Sequence, residues 1–83
     1  MTVEQRMRQV LADVLQLGSR AQGLDADTPL LGHLPELDSM AVAAVLTGIE
    51  EEFGLNIDDD DVSAEMFETF GALCAFVAQK QAA

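Results

Sequence analysis

Cationic side chains are nearly absent from this chain of 83 residues: Arg6, Arg8, Arg20 and Lys80 stand against 15 carboxylates, for a formal net charge of −11. Residues 21–79 carry 13 carboxylates, with His33 the sole side chain there able to become cationic. Such a surface repels nucleic acid, whose binding needs positive charge to release condensed counterions. It steers basic protein surfaces toward itself instead, at rates that fall as salt rises. Cysteine is equally scarce, and Cys74 alone excludes an internal disulfide and a multi-cysteine zinc centre. No apolar run approaches the roughly 18 residues that cross a bilayer. The opening MTVEQRMRQV lacks the apolar core of a secretory leader. A cytoplasmic protein with no covalent staple is expected, and Met1 and the short tail at 79–83 read as the ends of a discrete single domain spanning 1–83. A domain this small needs most of its apolar residues for one core and has little room for a deep catalytic cleft.

Alternating apolar runs long enough for a sheet are also missing, so the chain is expected to be all-α, a small four-helix bundle of three longer helices and one short one. Thr2 and Gln5 fit a capping box, and Val3, Met7, Val10, Leu11, Val14 and Leu17 recur at spacings of three and four up to Gly18. This predicts a first helix over 2–17. A loop follows over 18–37, interrupted by Leu24, Leu30, Leu31, Leu34 and Leu37. A connection of that length in so small a domain is functional or packed by its own side chains, and the leucines favour packing. The second helix is predicted over 39–53, with Asp38 as N-cap and Gly54 closing it. A short helix over 63–68 and a last one over 70–80, with Phe70, Leu73, Cys74 and Val77 on one face, complete the chain.

Ser39 therefore sits where a helix begins. Free backbone N–H groups and the positive end of the macrodipole stabilise a phosphate or phosphodiester there, so this serine is either a cap or an attachment point. Competing chemistry finds no support. His33 lies six residues upstream, no G-x-S-x-G elbow surrounds Ser39, and no enzyme is expected. Asn56, Asp58 and Asp60 imitate the start of a calcium loop, but its glycine position falls on Asp61 and its last acidic position on Phe67. Cys74, on an apolar face without a base, reads as a structural thiol.

Asp38-Ser39-Met40, the close Glu50-Glu51-Glu52-Phe53-Gly54-Leu55, the leucine-bearing loop before them and Glu68-Thr69-Phe70 opening the last helix resemble, across essentially the whole chain, the acyl carrier and peptidyl carrier protein family. The family's typical triplet is Asp-Ser-Leu, and Glu-Glu-x-Phe often closes that helix at the spacing that separates Ser39 from Phe53. The resemblance implies that Ser39 accepts 4′-phosphopantetheine from coenzyme A, with Asp38 as motif partner, and that cargo rides on the arm as a thioester. Implied partners are a phosphopantetheinyl transferase, acyl- or aminoacyl-loading ligases, and acyltransferases or synthases. The bland alternative is an unmodified acidic helical interaction module with the same bundle.

One departure stands out. Many carriers of fatty acid synthesis bear acidic residues in the first turns after the serine, whereas this chain reads Met40-Ala41-Val42-Ala43-Ala44-Val45-Leu46-Thr47-Gly48. Ala41, Ala44 and Val42 or Val45 are expected to lie exposed. Partner contacts are placed at Glu36, Met40, Ala44, Glu50 and Glu51, serving a monomer in a specialised pathway. Gly48, costing about 1 kcal/mol relative to alanine in a helix, suggests the close approach of a neighbouring element. A fatty chain could shelter only among Leu46, Ile49, Phe53, Ile57, Met66, Phe67 and Cys74, residues that a small protein uses for its core.

Overall fold

A computed structural model describes residues 2–82. Three α-helices, α1 (Val3–Leu15), α2 (Ser39–Phe53) and α3 (Phe70–Ala82), are joined by segments that include 3₁₀ turns at Gly18–Gly23, Asp59–Asp61 and Ala64–Phe67. The all-α class and the short helix before α3 match expectation; the first two 3₁₀ turns were not foreseen. Their polar, glycine- and aspartate-rich sequences carry no helical periodicity.

Helix α1 starts on the anticipated capping box, with Thr2 Oγ1 accepting the Gln5 N–H at 3.1 Å and Gln5 Oε1 accepting the Thr2 N–H at 2.9 Å. It ends earlier than Leu17, because Gln16 takes the left-handed conformation at φ +57°. The Leu17 N–H then returns to the Ala12 carbonyl at 3.1 Å, the six-to-one bond of a Schellman turn. Glutamine is an uncommon residue in that conformation, so composition favoured Gly18 as the stop. The turn folds Leu17 back into the core beside Met7, Val10, Leu11 and Leu15.

The segment after Gly23 is stitched to the start of α3. Leu30 and Leu31 N–H donate to the Glu68 and Phe67 carbonyls at 3.1 and 2.9 Å; Phe70 and Gly71 N–H donate to Thr28 and Ala26 at 2.9 and 3.1 Å. The pairing is a single antiparallel bridge, Pro29 to Thr69, and does not grow into a sheet. Leu24, Leu30 and Leu37 are buried, Leu34 is half-buried and Leu31 stays exposed. Three of the five leucines thus anchor the segment that delivers the chain to Asp38.

Gly71 makes that stitch possible. A Cβ there would lie 2.7 Å from the Ala26 carbonyl oxygen, an atom already fixed by the Gly71 N–H. Gly71→Ala should therefore destabilise by about 1–3 kcal/mol despite alanine's better helix propensity. Each kcal/mol lowers Tm by roughly 4–8 °C in a domain of this size. Thermal unfolding followed by circular dichroism checks it, and an unchanged or raised Tm would contradict the close-contact explanation.

Helix α2 buries Val45, Ile49 and Phe53 and half-buries Ala41, Val42 and Leu46. Ala44 is exposed as expected, but Ala41 is half-buried rather than exposed, and of the alternatives Val42 and Val45 neither is exposed: Val42 is half-buried and Val45 fully buried, because its four-residue spacing to Ile49 and Phe53 places it on the core stripe. Gly54 closes the helix at φ +66° with its N–H on the Glu50 carbonyl. Gly48 lies against α1, where an added Cβ would come within 3.1 Å of Val10 and 3.2 Å of Val14. The remaining core is Ala21, Met66, Phe67, Phe70, Leu73, Cys74 and Val77. Of the residues named as a cargo shelter, Ile49, Phe53, Met66, Phe67 and Cys74 are core, while Leu46 and Ile57 are half-buried.

Candidate functional site at the start of helix α2

Asp38 has extended backbone angles, and its Oδ1 accepts the Ala41 N–H at 2.8 Å, while its carbonyl takes the Val42 N–H at 2.9 Å. The side chain thus satisfies one of the orphan donors of the first turn. Ser39 is the first helical residue and is exposed. Among the described residues its hydroxyl makes no hydrogen bond, and the N–H groups of Ser39 and Met40 have no acceptor. Two unpaired donors and a free hydroxyl at the positive end of a 15-residue helix suit an anionic phosphodiester. The capping role already belongs to Asp38, so Ser39 is not required as a cap.

The approach to this triplet is pinned from outside. Arg20, in the Gly18–Gly23 turn, makes a two-pronged ion pair with Glu36, two residues before Asp38. The Arg20 hydrogen bond, and then the Glu36 backbone, hold the Glu36 carboxyl below its ordinary value. The sequence offered one hint of this pair, since Arg20 is the lone cation next to the acidic stretch.

The residues nominated for partner contact divide into two groups. Met40, Ala44 and Glu51 share, with Thr47, one outward stripe of α2, all exposed and spaced by four, three and four residues. Met40 is 84% exposed, directly after Ser39. Glu36 and Glu50 are instead engaged within the fold: Glu36 by Arg20, and Glu50 by the Ile57 N–H, which its Oε2 accepts at 2.8 Å. Glu52 is likewise held, by Arg6 Nε at 3.0 Å. The carboxylates that crowd the end of α2 against its dipole are thereby partly compensated.

All three arginines and the lysine are engaged within the fold. Arg6 also lies 4.4 Å from the Phe53 ring centre; Arg8 donates to the Leu24 carbonyl at 2.9 Å and sits 5.4 Å from the Phe70 ring. Lys80 pairs with Asp61 at 2.8 Å, which with the Asp58 N–H holds that carboxyl below its usual range. Among the described residues three side-chain carboxylates, those of Glu36, Glu52 and Asp61, are ion-paired, which leaves most of the acidic surface without internal neutralisation. Burial pushes the Cys74 thiol up to about 11, far from a reactive thiolate. No helix among the described residues is long and apolar enough to cross a membrane.

A helical bundle with an exposed, unbonded serine hydroxyl at a helix start is an arrangement suited to covalent attachment of an anionic group. Comparison with known proteins specifies the class. The family model for the phosphopantetheine attachment site matches residues 5–77. Acyl carrier proteins from two strains of Nitratidesulfovibrio vulgaris are 34% identical over 61 residues, covering 74% of this chain and 76% of theirs. The solution structure of a holo acyl carrier protein from Nitrosomonas europaea superposes with a TM-score of 0.92 at 48% identity, over 100% of both chains. The chain belongs to the phosphopantetheine-attachment family, as an acyl carrier protein that holds 4′-phosphopantetheine covalently and is not itself an enzyme. Its partners are of the general kinds such carriers serve, a phosphopantetheinyl transferase and synthase enzymes. That arm sets aside the alternative of a module that is never modified.

Proposed function

We propose that Ser39 is the attachment residue, that Asp38 holds the helix start on which the arm sits, and that the stripe Met40, Ala44, Glu51 is the surface partner enzymes read. The observation that carries this is the free Ser39 hydroxyl beside two unpaired N–H groups at the head of α2. When bound, the arm supplies a terminal thiol on which cargo is held as a thioester. Ser39 acts as an acceptor and needs no base from this chain, since the transferase brings its own. Intact mass after incubation with coenzyme A and a broad-specificity transferase tests the assignment. Loss of the pantetheinyl increment in Ser39→Ala supports it, and retention refutes it.

The pathway served is a specialised one, with acyl or aminoacyl cargo loaded by a dedicated ligase and passed to an acyltransferase or synthase in the cytoplasm. What supports this is the apolar opening of α2, where Met40, Ala43 and Ala44 are exposed in place of carboxylates. Glu36 and Glu50, tied down internally, leave Glu51 as the accessible acid of that stripe. The carrier works as a monomer, with its charge of −11 opposing self-association. Ala44→Glu should weaken docking to the cognate enzyme about 5–30-fold in kcat/KM, the effect of burying an unpaired charge worth roughly 1–2 kcal/mol at a contact. Turnover equal to wild type would remove Ala44 from the interface.

A further inference from the structure

Among the described residues one sulfur lies in the open. Met7 and Met66 belong to the core, at 0% and 5% exposure, whereas Met40 is 84% exposed and is the most exposed large apolar side chain described. Cys74 is buried, with its thiol pushed up to about 11. Oxidation of sulfur follows access to solvent and, for a thiol, thiolate character. A mild oxidant arriving from solvent therefore meets the Met40 thioether first.

The position of that thioether gives its oxidation a consequence. Met40 follows Ser39 in the first turn of α2 and begins the outward stripe that continues through Ala44. Long helical side chains lean toward the helix N-terminus, so the sulfur stands over the turn that carries the Ser39 hydroxyl. Ala43 and Ala44, exposed one turn further on, add only methyl groups. Met40 thus supplies most of the apolar area a partner can bury beside Ser39. Leucine, the residue of the family's usual triplet, would offer comparable area without an oxidisable atom.

We infer that Met40 is a reversible oxidation site that switches the access of partner enzymes to the head of α2. The oxidant is a peroxide. The sulfur lone pair attacks one peroxide oxygen, the O–O bond breaks, and the departing hydroxide takes the proton from the transferred oxygen to leave as water. The thioether is oxidised to a sulfoxide and the peroxide is reduced. The S–O group is polar and hydrated, so burying it against an apolar partner surface carries a desolvation cost that the thioether does not. Sulfoxide reductases reverse the step, with two thiols becoming a disulfide and the oxygen leaving as water. The effect on docking rests on the reading of Met40 as a partner contact, whereas the selectivity of oxidation does not.

The test starts from the full chain before its arm is attached, exposed to limiting hydrogen peroxide and cleaved after glutamate. Cleavage places Met7, Met40 and Met66 on separate peptides, 5–36, 37–50 and 66–68, and leaves Met1, which lies outside the described residues, on 1–4. Sulfoxide should form on Met40 at least about tenfold faster than on Met7 or Met66. The oxidised protein, given coenzyme A and a broad-specificity transferase, should take up the arm roughly 5-fold more slowly, the size of losing one apolar anchor from an interface. Methionine sulfoxide reductases specific for the two epimers should restore the rate. Met40→Leu, whatever its own rate, should give the same rate before and after peroxide, and Met40→Gln, an uncharged polar stand-in for the sulfoxide, should be slow in both. Comparable oxidation of Met7 or Met66, equal transfer to the thioether and sulfoxide forms, or a peroxide effect that persists in Met40→Leu overturns the switch. Ser39→Ala in the same assay keeps the two readings apart: an increment retained there moves the attachment site, and the ratio of oxidised to reduced rates still decides the role of Met40.

Discussion

Alanine at position 39 is expected to leave the carrier folded and permanently without its arm. The chain offers three serines to a transferase, Ser19, Ser39 and Ser63, all exposed. Ser19 lies inside the 3₁₀ turn Gly18–Gly23 and Ser63 precedes the four-residue turn Ala64–Phe67. Neither faces the field of a full α-helix, whose N-terminal half-charge comes from many aligned peptide dipoles. Ser39 heads 15 helical residues and has two free amides beside it. Intact mass after transferase treatment should therefore show one pantetheinyl increment on wild type, Ser19→Ala and Ser63→Ala, and none on Ser39→Ala. Because the Ser39 hydroxyl makes no hydrogen bond among the described residues, its loss should change stability by no more than about 0.5 kcal/mol. Asp38→Ala is the informative contrast. It removes the bond to the Ala41 N–H, costing about 0.5–2 kcal/mol, while leaving the acceptor hydroxyl in place. An increment on Ser39→Ala would move the attachment elsewhere, and a large fall in its Tm would make Ser39 a structural cap.

The head of α2 was legible from sequence because its physics is local. An N-cap acts across three residues, so Asp38 reaching the Ala41 N–H is written in the order of the letters, and Gly54 at the other end follows the same logic. What sequence could not reach are features set by distant partners. Nothing near Gly71 signals that its Cβ would strike the Ala26 carbonyl, 45 positions away. Glu50 reads as a surface acid until the Ile57 N–H is seen to claim it. Ala41 was misjudged, and Val42 and Val45 were left as alternatives, because a run of alanine, valine and leucine is apolar on every side and hides the core stripe; periodicity needs polar residues to show its phase. The tight packing at Gly48 was anticipated as a close approach, but the valines of α1 that meet it lie more than thirty residues earlier.

Phe70→Ala is expected to be the most damaging substitution in the core. The ring is fully buried at the first position of α3, and the Arg8 guanidinium sits 5.4 Å from its centre. Arg8 in turn donates to the Leu24 carbonyl, and the Phe70 N–H donates to Thr28. Through Arg8 the ring braces Leu24, while the Phe70 backbone holds Thr28, both early in the segment that runs on toward Asp38. Removing a buried phenylalanine costs about 3–5 kcal/mol, and the lost cation–π contact belongs to the same removal. A domain of 83 residues has a total stability on the order of 4–12 kcal/mol. The variant should therefore be partly unfolded at room temperature at low ionic strength, where a net charge of −11 adds self-repulsion. Raising salt to about 0.5 M shortens the Debye length to a few ångströms and should recover part of the folded population without restoring wild-type Tm. Phe76→Ala, on the same helix but half-buried, serves as the control and should cost less than half as much. Urea unfolding with circular dichroism detection compares the three proteins. A Phe70→Ala midpoint within about 1 kcal/mol of wild type would mean that the loop holds its course to Ser39 through its backbone bonds alone, and the stitch rather than the ring would then be what places the attachment site.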